Sequence, residues 1–166
     1  ARQIWTDDHG HWFAIGEGLY ADPYAEILHH GHHIKIPIGY SMSVGINMRV
    51  LRSRDEHLYF SHRQTVYEID SAGNVKQHEF PGPIIGIVQD LSGDIWVNML
   101  QQGTFRFANG DLSKPGINYL KGYSVSSVLQ DVEKGYWFTT VGKVVFYRAG
   151  LEFGYCTVSE GLPPFA

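Results

Sequence analysis

Cysteine is almost missing from this chain. Cys156 stands alone, which excludes an internal disulfide and any zinc site built on several cysteines. It leaves the compartment open, since many periplasmic domains carry no disulfide. No run approaches the ~18 apolar residues of a membrane span. The longest uncharged stretch, Ile36 to Met48, is broken by Pro37, Gly39 and Gly45. A basic excess is also lacking: 17 acidic side chains face 13 basic ones, net −4 with neutral histidine, so no electrostatic footprint for nucleic acid is present. The opening Ala-Arg-Gln-Ile-Trp has neither the basic n-region nor the apolar core of a signal peptide, so the chain reads as cytosolic or as a processed or excised piece. There is no Gly-x-Ser-x-Gly, no phosphate loop and no His-Glu-x-x-His. No segment sustains the i, i+3, i+4 pattern over ten residues, and any helical turn is expected between Asp22 and Pro37, where period two is least clear.

The 166 residues suggest one domain, or two small ones, long enough to bury roughly two-thirds of the unfolded surface without a staple. Hydrophobic residues at 43% and charged residues at 18% exclude wholesale disorder. Aromatics at 14% and 19 glycines fit sheets joined by tight turns. A unit then repeats at about forty residues. Ile4 to Phe13, Ile87 to Val97 and Val128 to Phe138 each read as an apolar strand, an Asp, a polar turn with Gly, and a strand carrying Trp. Trp96 and Trp137 are 41 positions apart, and Trp12 and Trp96 are 84 apart. The copy between them reads Val50 to Phe60, with Asp55 as the turn Asp and Leu58 in place of Trp. Third strands follow at Gly18 to Tyr20, Thr65 to Asp70, Gly103 to Phe107 and Lys143 to Tyr147, and fourth strands at Val75–Phe80, Ile117–Leu120 and Glu152–Val158. An Asp opening a tight turn accepts the next backbone N–H groups, Gly takes the positive φ, and Trp packs between sheets. Asp7, Asp90, Asp131 and the Trp residues are therefore fold-building positions.

The expected architecture is all-β: four-stranded antiparallel blades of β-propeller type, about 1–40, 41–83, 84–123 and 124–158, with 159–166 as a connector toward a following blade. Asp90, Gly93, Trp96 and Gly103 carry the best copy of the pattern; Asp131, Gly135 and Trp137 the next, with Gly one position late; Asp7, Gly10 and Trp12 match with one residue fewer. Together with Glu160-Gly161-Leu162-Pro163, this pattern resembles the two-component regulator propeller repeat. That resemblance implies the periplasmic sensor region of a bacterial hybrid two-component protein. It implies an extracytoplasmic location, and that this chain is part of a larger propeller. Open blade edges are then expected to pair with a second copy.

In a propeller the second-to-third-strand corners and the blade-to-blade connections share one face, opposite the Asp turns. Candidate ligand contacts on that face are Glu17, Tyr40, His62, Arg63, Gln101, Gln102, Tyr123 and Lys143. Tyr40 and Tyr123 are suited to stacking on a sugar ring, Arg63 and Lys143 to meeting a carboxylate or sulfate. Solvated corners are the plainer reading. His29, His30, His32 and His33 form the candidate metal set for zinc or nickel, against the reading of a polar strand end, because adjacent histidines on an extended chain point to opposite sides. Paired acids in turns, Asp7 with Asp8 and Asp55 with Glu56, lie away from the expected mouth, and Cys156 reads as an inert thiol on an outer strand. Three functions follow as expectations. The first is a non-catalytic sensor for an oligosaccharide or other small molecule, with no cofactor, no nucleic acid and no membrane segment in this chain. The second is a protein-interaction or assembly scaffold. The third is a propeller lyase or hydrolase using His62 with Glu17 as acid and base.

Overall fold

The computed structural model describes residues 3–6, 12–16, 24–37, 49–141, 143–148 and 154–157. They form sixteen strands in four antiparallel sheets. The first sheet holds β1 (Gln3–Thr6), β2 (Trp12–Gly16), β3 (Tyr24–His29) and β4 (His32–Pro37). The second holds β5 (Arg49–Arg52), β6 (Leu58–His62), β7 (Thr65–Ile69) and β8 (Val75–Glu79). The third holds β9 (Ile84–Gln89), β10 (Ile95–Met99), β11 (Gly103–Phe107) and β12 (Ile117–Tyr119). The fourth holds β13 (Val125–Gln130), β14 (Tyr136–Thr140), β15 (Lys143–Tyr147) and β16 (Gly154–Thr157). Within each sheet every strand pairs with its neighbour in sequence. The first strands of successive sheets also lie beside one another, β5 by β9 and β9 by β13. The fold is thus all-β and of the propeller type.

Three apolar layers hold the sheets face to face. Ala25, Ile27 and Ile36 meet Leu58, Phe60, Tyr67 and Ile69 between the first and second sheets. Tyr59 and Val66 meet Ile84, Ile95, Val97 and Met99 between the second and third. Trp96 meets Val125, Val128, Tyr136, Phe138 and Val145 between the third and fourth. A strand with a neighbour on both faces is buried at every position, as in β6 and β10. In β14 only alternate residues, Tyr136, Phe138 and Thr140, are buried.

The structure corrects three sequence expectations. In the second sheet the turn opens at Ser53, not Asp55: Ser53 N–H bonds His57 O (2.9 Å) and Glu56 N–H bonds Ser53 O (3.2 Å), as Asp90 and Asp131 do in their turns. Six positions on stands Tyr59, so Tyr and not Leu58 takes the place of Trp96 and Trp137. Trp12 pairs with Thr6, the position that Ile95 takes against Gln89, whereas Trp96 pairs with Val88 and Trp137 with Leu129. Trp12 is therefore one register step from the other two. Finally, Asp22 to Pro37 contains the β3–β4 hairpin, turned through His30 (φ 47°) and Gly31 (φ 81°). Its period of two is hidden because Leu28 faces outward and His29 inward. The one short helical turn described is 3-10, at Ala108–Gly110.

The "late" glycine of the fourth sheet is not a misplaced copy of Gly93. The left-handed position held by Gly93 (φ 94°) is taken there by Lys134 (φ 66°) and in the second sheet by Glu56 (φ 67°). Gly135 serves a different need: a Cβ there would press on Phe146 Cε2 at 2.5 Å and Asp131 Oδ2 at 2.8 Å.

Candidate functional site

The sheets present two chemically different ends. At the Asp-turn end the carboxylates are consumed by the fold. Asp90 Oδ1 accepts from Ser92 N–H (2.8 Å) and Asp94 N–H (3.0 Å), and its Oδ2 accepts from Trp96 Nε1–H (2.9 Å) and Tyr136 O–H (3.0 Å). Burial, with Asp90 acting against the opposing pull of Arg106, pushes the Tyr136 hydroxyl up to about 12, so it remains a donor. Arg106 reaches Asp94 Oδ2 at 2.7 Å and lies over the Trp96 and Tyr136 rings at 5.5 and 5.2 Å. Asp131 repeats the pattern with Glu133 N–H, Gly135 N–H and Trp137 Nε1–H. The Trp137 bond, foremost, holds its carboxyl below the usual range. A cleft of about 110 Å³ between β9 and β13 at this end is lined by Val88, Leu91, Val128 and Leu129 beside the Asp90 turn. It is too small for anything but a minor side chain or a few waters.

The opposite end gathers the corners and the connections. Ile84 N–H bonds Arg63 O (2.6 Å), Leu100 N–H bonds Pro83 O (2.9 Å), and Gly103 N–H bonds Tyr123 O (2.8 Å). Gln101 N–H bonds Ser124 Oγ at 3.0 Å. The corners of the second and third sheets are thereby tied to the connections beside them. Arg63 (φ 55°) and Gln101 (φ 56°) hold left-handed backbone at their corners and are exposed. Gln102 packs over Gly82, where a Cβ would meet its Cγ at 2.9 Å. Tyr123 is 46% exposed, with Lys143 Nζ 5.8 Å from its ring centre. Glu17 and Tyr40 lie outside the described residues.

His62 ends β6 but is only 4% exposed. Burial, and secondly Arg63, hold its imidazole below the ordinary 6.5. The unfolded chain therefore takes up this proton at higher pH than the folded one. Stability due to His62 is expected to be whole at pH ~7.5, to fall as pH drops through ~6.5, and to level off below the folded value. Urea midpoints at the two ends of that range check this, and His62→Asn should flatten the fall.

The histidine run does not converge. His29 is fully buried, with Nε2 3.0 Å from Glu56 O. His30 Nε2 lies 3.3 Å from Glu56 Oε2, and His33 Nε2 lies 2.7 Å from Glu26 Oε1. His32 packs beside Gly73. The hairpin alternation sends neighbours to opposite faces, and no group of three His, Cys, Asp or Glu among the described residues is placed to hold a metal. His29, His30 and His32 thus meet the turns of the second sheet, whereas His33 stays with Glu26 inside the first.

One cluster escaped the sequence reading. Glu68 Oε1 lies 2.9 Å from His57 Nδ1 and Oε2 lies 2.8 Å from His78 Nε2, with the Tyr59 hydroxyl at 3.5 Å. The Tyr59↔Glu68 register was the available signal. Glu68 and His78 are each 12% exposed, so the carboxylate is saturated inside the wall between sheets.

No protein-family model matches the chain, and neither does any curated protein sequence. Solved structures do. Virginiamycin B lyase from Staphylococcus aureus is similar at TM-score 0.63 and 17% identity, over 93% of this chain and 54% of the lyase. The extracellular domain of a putative one-component system from B. thetaiotaomicron is similar at TM-score 0.58 and 16% identity, over 88% of this chain and 21% of that one. YCF48 bound to D1 peptide is similar at TM-score 0.53 and 13% identity, over 89% of this chain and 51% of that one. The chain spans about half the length of the lyases it matches. At these identities the likeness is one of fold.

Proposed function

We propose that the chain is a non-catalytic, ligand-sensing propeller module of an extracytoplasmic bacterial signalling protein, and that its ligand meets the corner end. The observation that carries this reading is the contrast between the ends. Asp90 and Asp131 are occupied by donors within the fold. At the corner end an exposed Tyr123 ring stands beside the Lys143 ammonium. A flat aromatic face next to a cation suits a sugar ring bearing a carboxylate or sulfate. Gln101 lies beside it, its backbone N–H bonded to Ser124 Oγ at 3.0 Å. The similar extracellular domain from a putative one-component system supports the signalling context. The burial of His62 favours binding over acid–base chemistry.

Thermal melts against neutral, uronic and sulfated oligosaccharides test the reading. Acidic sugars at about 100 times Kd should add about 2.7 kcal/mol, a rise of roughly 5–10 °C. Tyr123→Ala and Lys143→Met should abolish the rise while leaving the ligand-free midpoint within about 2 °C. A panel without any acidic-sugar shift overturns it. A protein-interaction scaffold is the second reading, favoured by an exposed apolar sheet face; YCF48, of similar fold, is described with a bound peptide.

A further inference from the structure

At the corner end, the first strands of the second, third and fourth sheets meet around one peptide. Arg49, Gly86 and Ser127 hold the same repeat position on β5, β9 and β13, paired with Ser61, Asn98 and Thr139. Immediately before Gly86 and Ser127, β9 and β13 each carry one extra residue, Ile85 and Ser126, where the register shifts. The carbonyl of the bulged Ile85 accepts Arg49 Nε–H at 2.9 Å. On the next residue, Gly86, a Cβ would lie 2.7 Å from Asn98 Nδ2 and 3.2 Å from Ser126 O. A guanidinium from the second sheet, an amide from the third and a carbonyl from the fourth thus surround the Ile85–Gly86 peptide.

Two features there exceed what packing needs. Arg49 is exposed, and its Nε bond leaves the Nη1–Nη2 edge without an acceptor among the described residues. Arg52, Arg106 and Arg148 each reach a carboxylate instead. Asn98 is fully buried and its Oδ1 takes the Thr104 hydroxyl at 2.6 Å, but its Nδ2 has no acceptor among the described residues. An unmet donor beside a cation without a carboxylate marks a place short of negative charge. The wider charge pattern agrees. Among the described residues, the corners, connections and adjoining strand ends carry Arg49, Arg63, Lys121 and Lys143 against one acid, Glu79. Glu79 itself accepts the Thr65 hydroxyl. Only the second sheet places a long cation at this repeat position, where the next two hold Gly86 and Ser127.

We propose that Arg49 forms an oxyanion site at the inner strand ends of the corner face, taking a sulfate or carboxylate group of an acidic polysaccharide. The Nη1–Nη2 edge is a fork that matches two oxygens of one such group. Anchoring Nε on Ile85 O fixes the direction of the fork and lowers the ordering cost of binding. The unmet Asn98 N–H adds to the positive potential at the same peptide, and the spread of four cations over this end suits repeated charges. The site is separate from the Tyr123–Lys143 pair and stands whether or not that pair binds a sugar.

Phenylglyoxal modification of the intact protein, read residue by residue by peptide mass spectrometry, tests this at constant ionic strength. The probes are dextran sulfate, polygalacturonate and neutral dextran. Arg54 is the internal control, because it is also exposed but lies at the Asp-turn end with Nη1 on Leu91 O at 2.8 Å. Modification of Arg49 should fall about fivefold or more with an acidic polymer at saturation, and not with neutral dextran. Protection by one acidic polymer and not the other tells sulfate from carboxylate. Unchanged Arg49 modification with both acidic polymers, or equal protection of Arg54, overturns the proposal. Protection should persist in Lys143→Met, and its loss there assigns the anion to the Tyr123–Lys143 pair and overturns a separate site. Arg49→Lys keeps the charge and removes the fork, so affinity for the protecting polymer should drop about tenfold. Undiminished affinity in that variant, with an unchanged circular dichroism spectrum, also overturns it.

Discussion

Trp96→Ala is expected to remove about 3–5 kcal/mol of stability, enough to leave the protein largely unfolded at room temperature if it is as marginal as most domains. The indole is fully buried and packs against Tyr136 (4.8 Å), Tyr119 (5.2 Å) and Phe138 (5.6 Å) between ring centres. Its removal opens a cavity between two sheets and strips Arg106 of one of its two aromatic supports. The control is Trp137→Ala, the same residue at the same repeat position with 41% of its surface exposed. That change should cost no more than about 1.5 kcal/mol in the chain as it stands. Urea unfolding followed by far-ultraviolet circular dichroism measures both. Equal losses would show that the layer between the third and fourth sheets is not what Trp96 supports.

Asp90→Ala is the second large effect. It leaves the Trp96 Nε1–H and Tyr136 O–H without their acceptor inside a buried interface, together with two turn N–H groups. Each buried donor left unmet costs about 1–3 kcal/mol, so the sum should reach about 3 kcal/mol or more. Asp131→Ala removes a similar set of turn bonds where water can replace them, because Trp137 is half open. It should cost about 1 kcal/mol. The ratio between the two variants, taken from the same denaturation series, is more informative than either value, since turn geometry is common to both and only the covered interface differs.

The repeat was legible because one sheet corresponds to one sequence period. The spacing of Asp90 and Asp131 from Trp96 and Trp137 marked the turns, and alternation marked strands such as β7 and β11. The second sheet was misread because Asp55 is the conspicuous acid there, while backbone bonds select Ser53, which donates its own hydroxyl to His57 O. Trp12 misled for a related reason. A strand register is a backbone property, and one residue fewer in a turn changes which residue faces the next sheet. The corner end was locatable from connectivity alone. The burial of His62 was not, because it depends on what the neighbouring sheet places over β6. The Glu68 pairing with His57 and His78 needed both register and the closeness of three strands, and neither is written in any local motif.

Among the described residues all pairing runs between strands adjacent in the chain, and each sheet meets the next through one face. A tandem duplication of some forty residues therefore adds a complete module and a complete junction without exchanging any existing backbone hydrogen bond. Blade number in this architecture is open to change by recombination at the connections, and selection acts on each new junction through the few side chains that cross it.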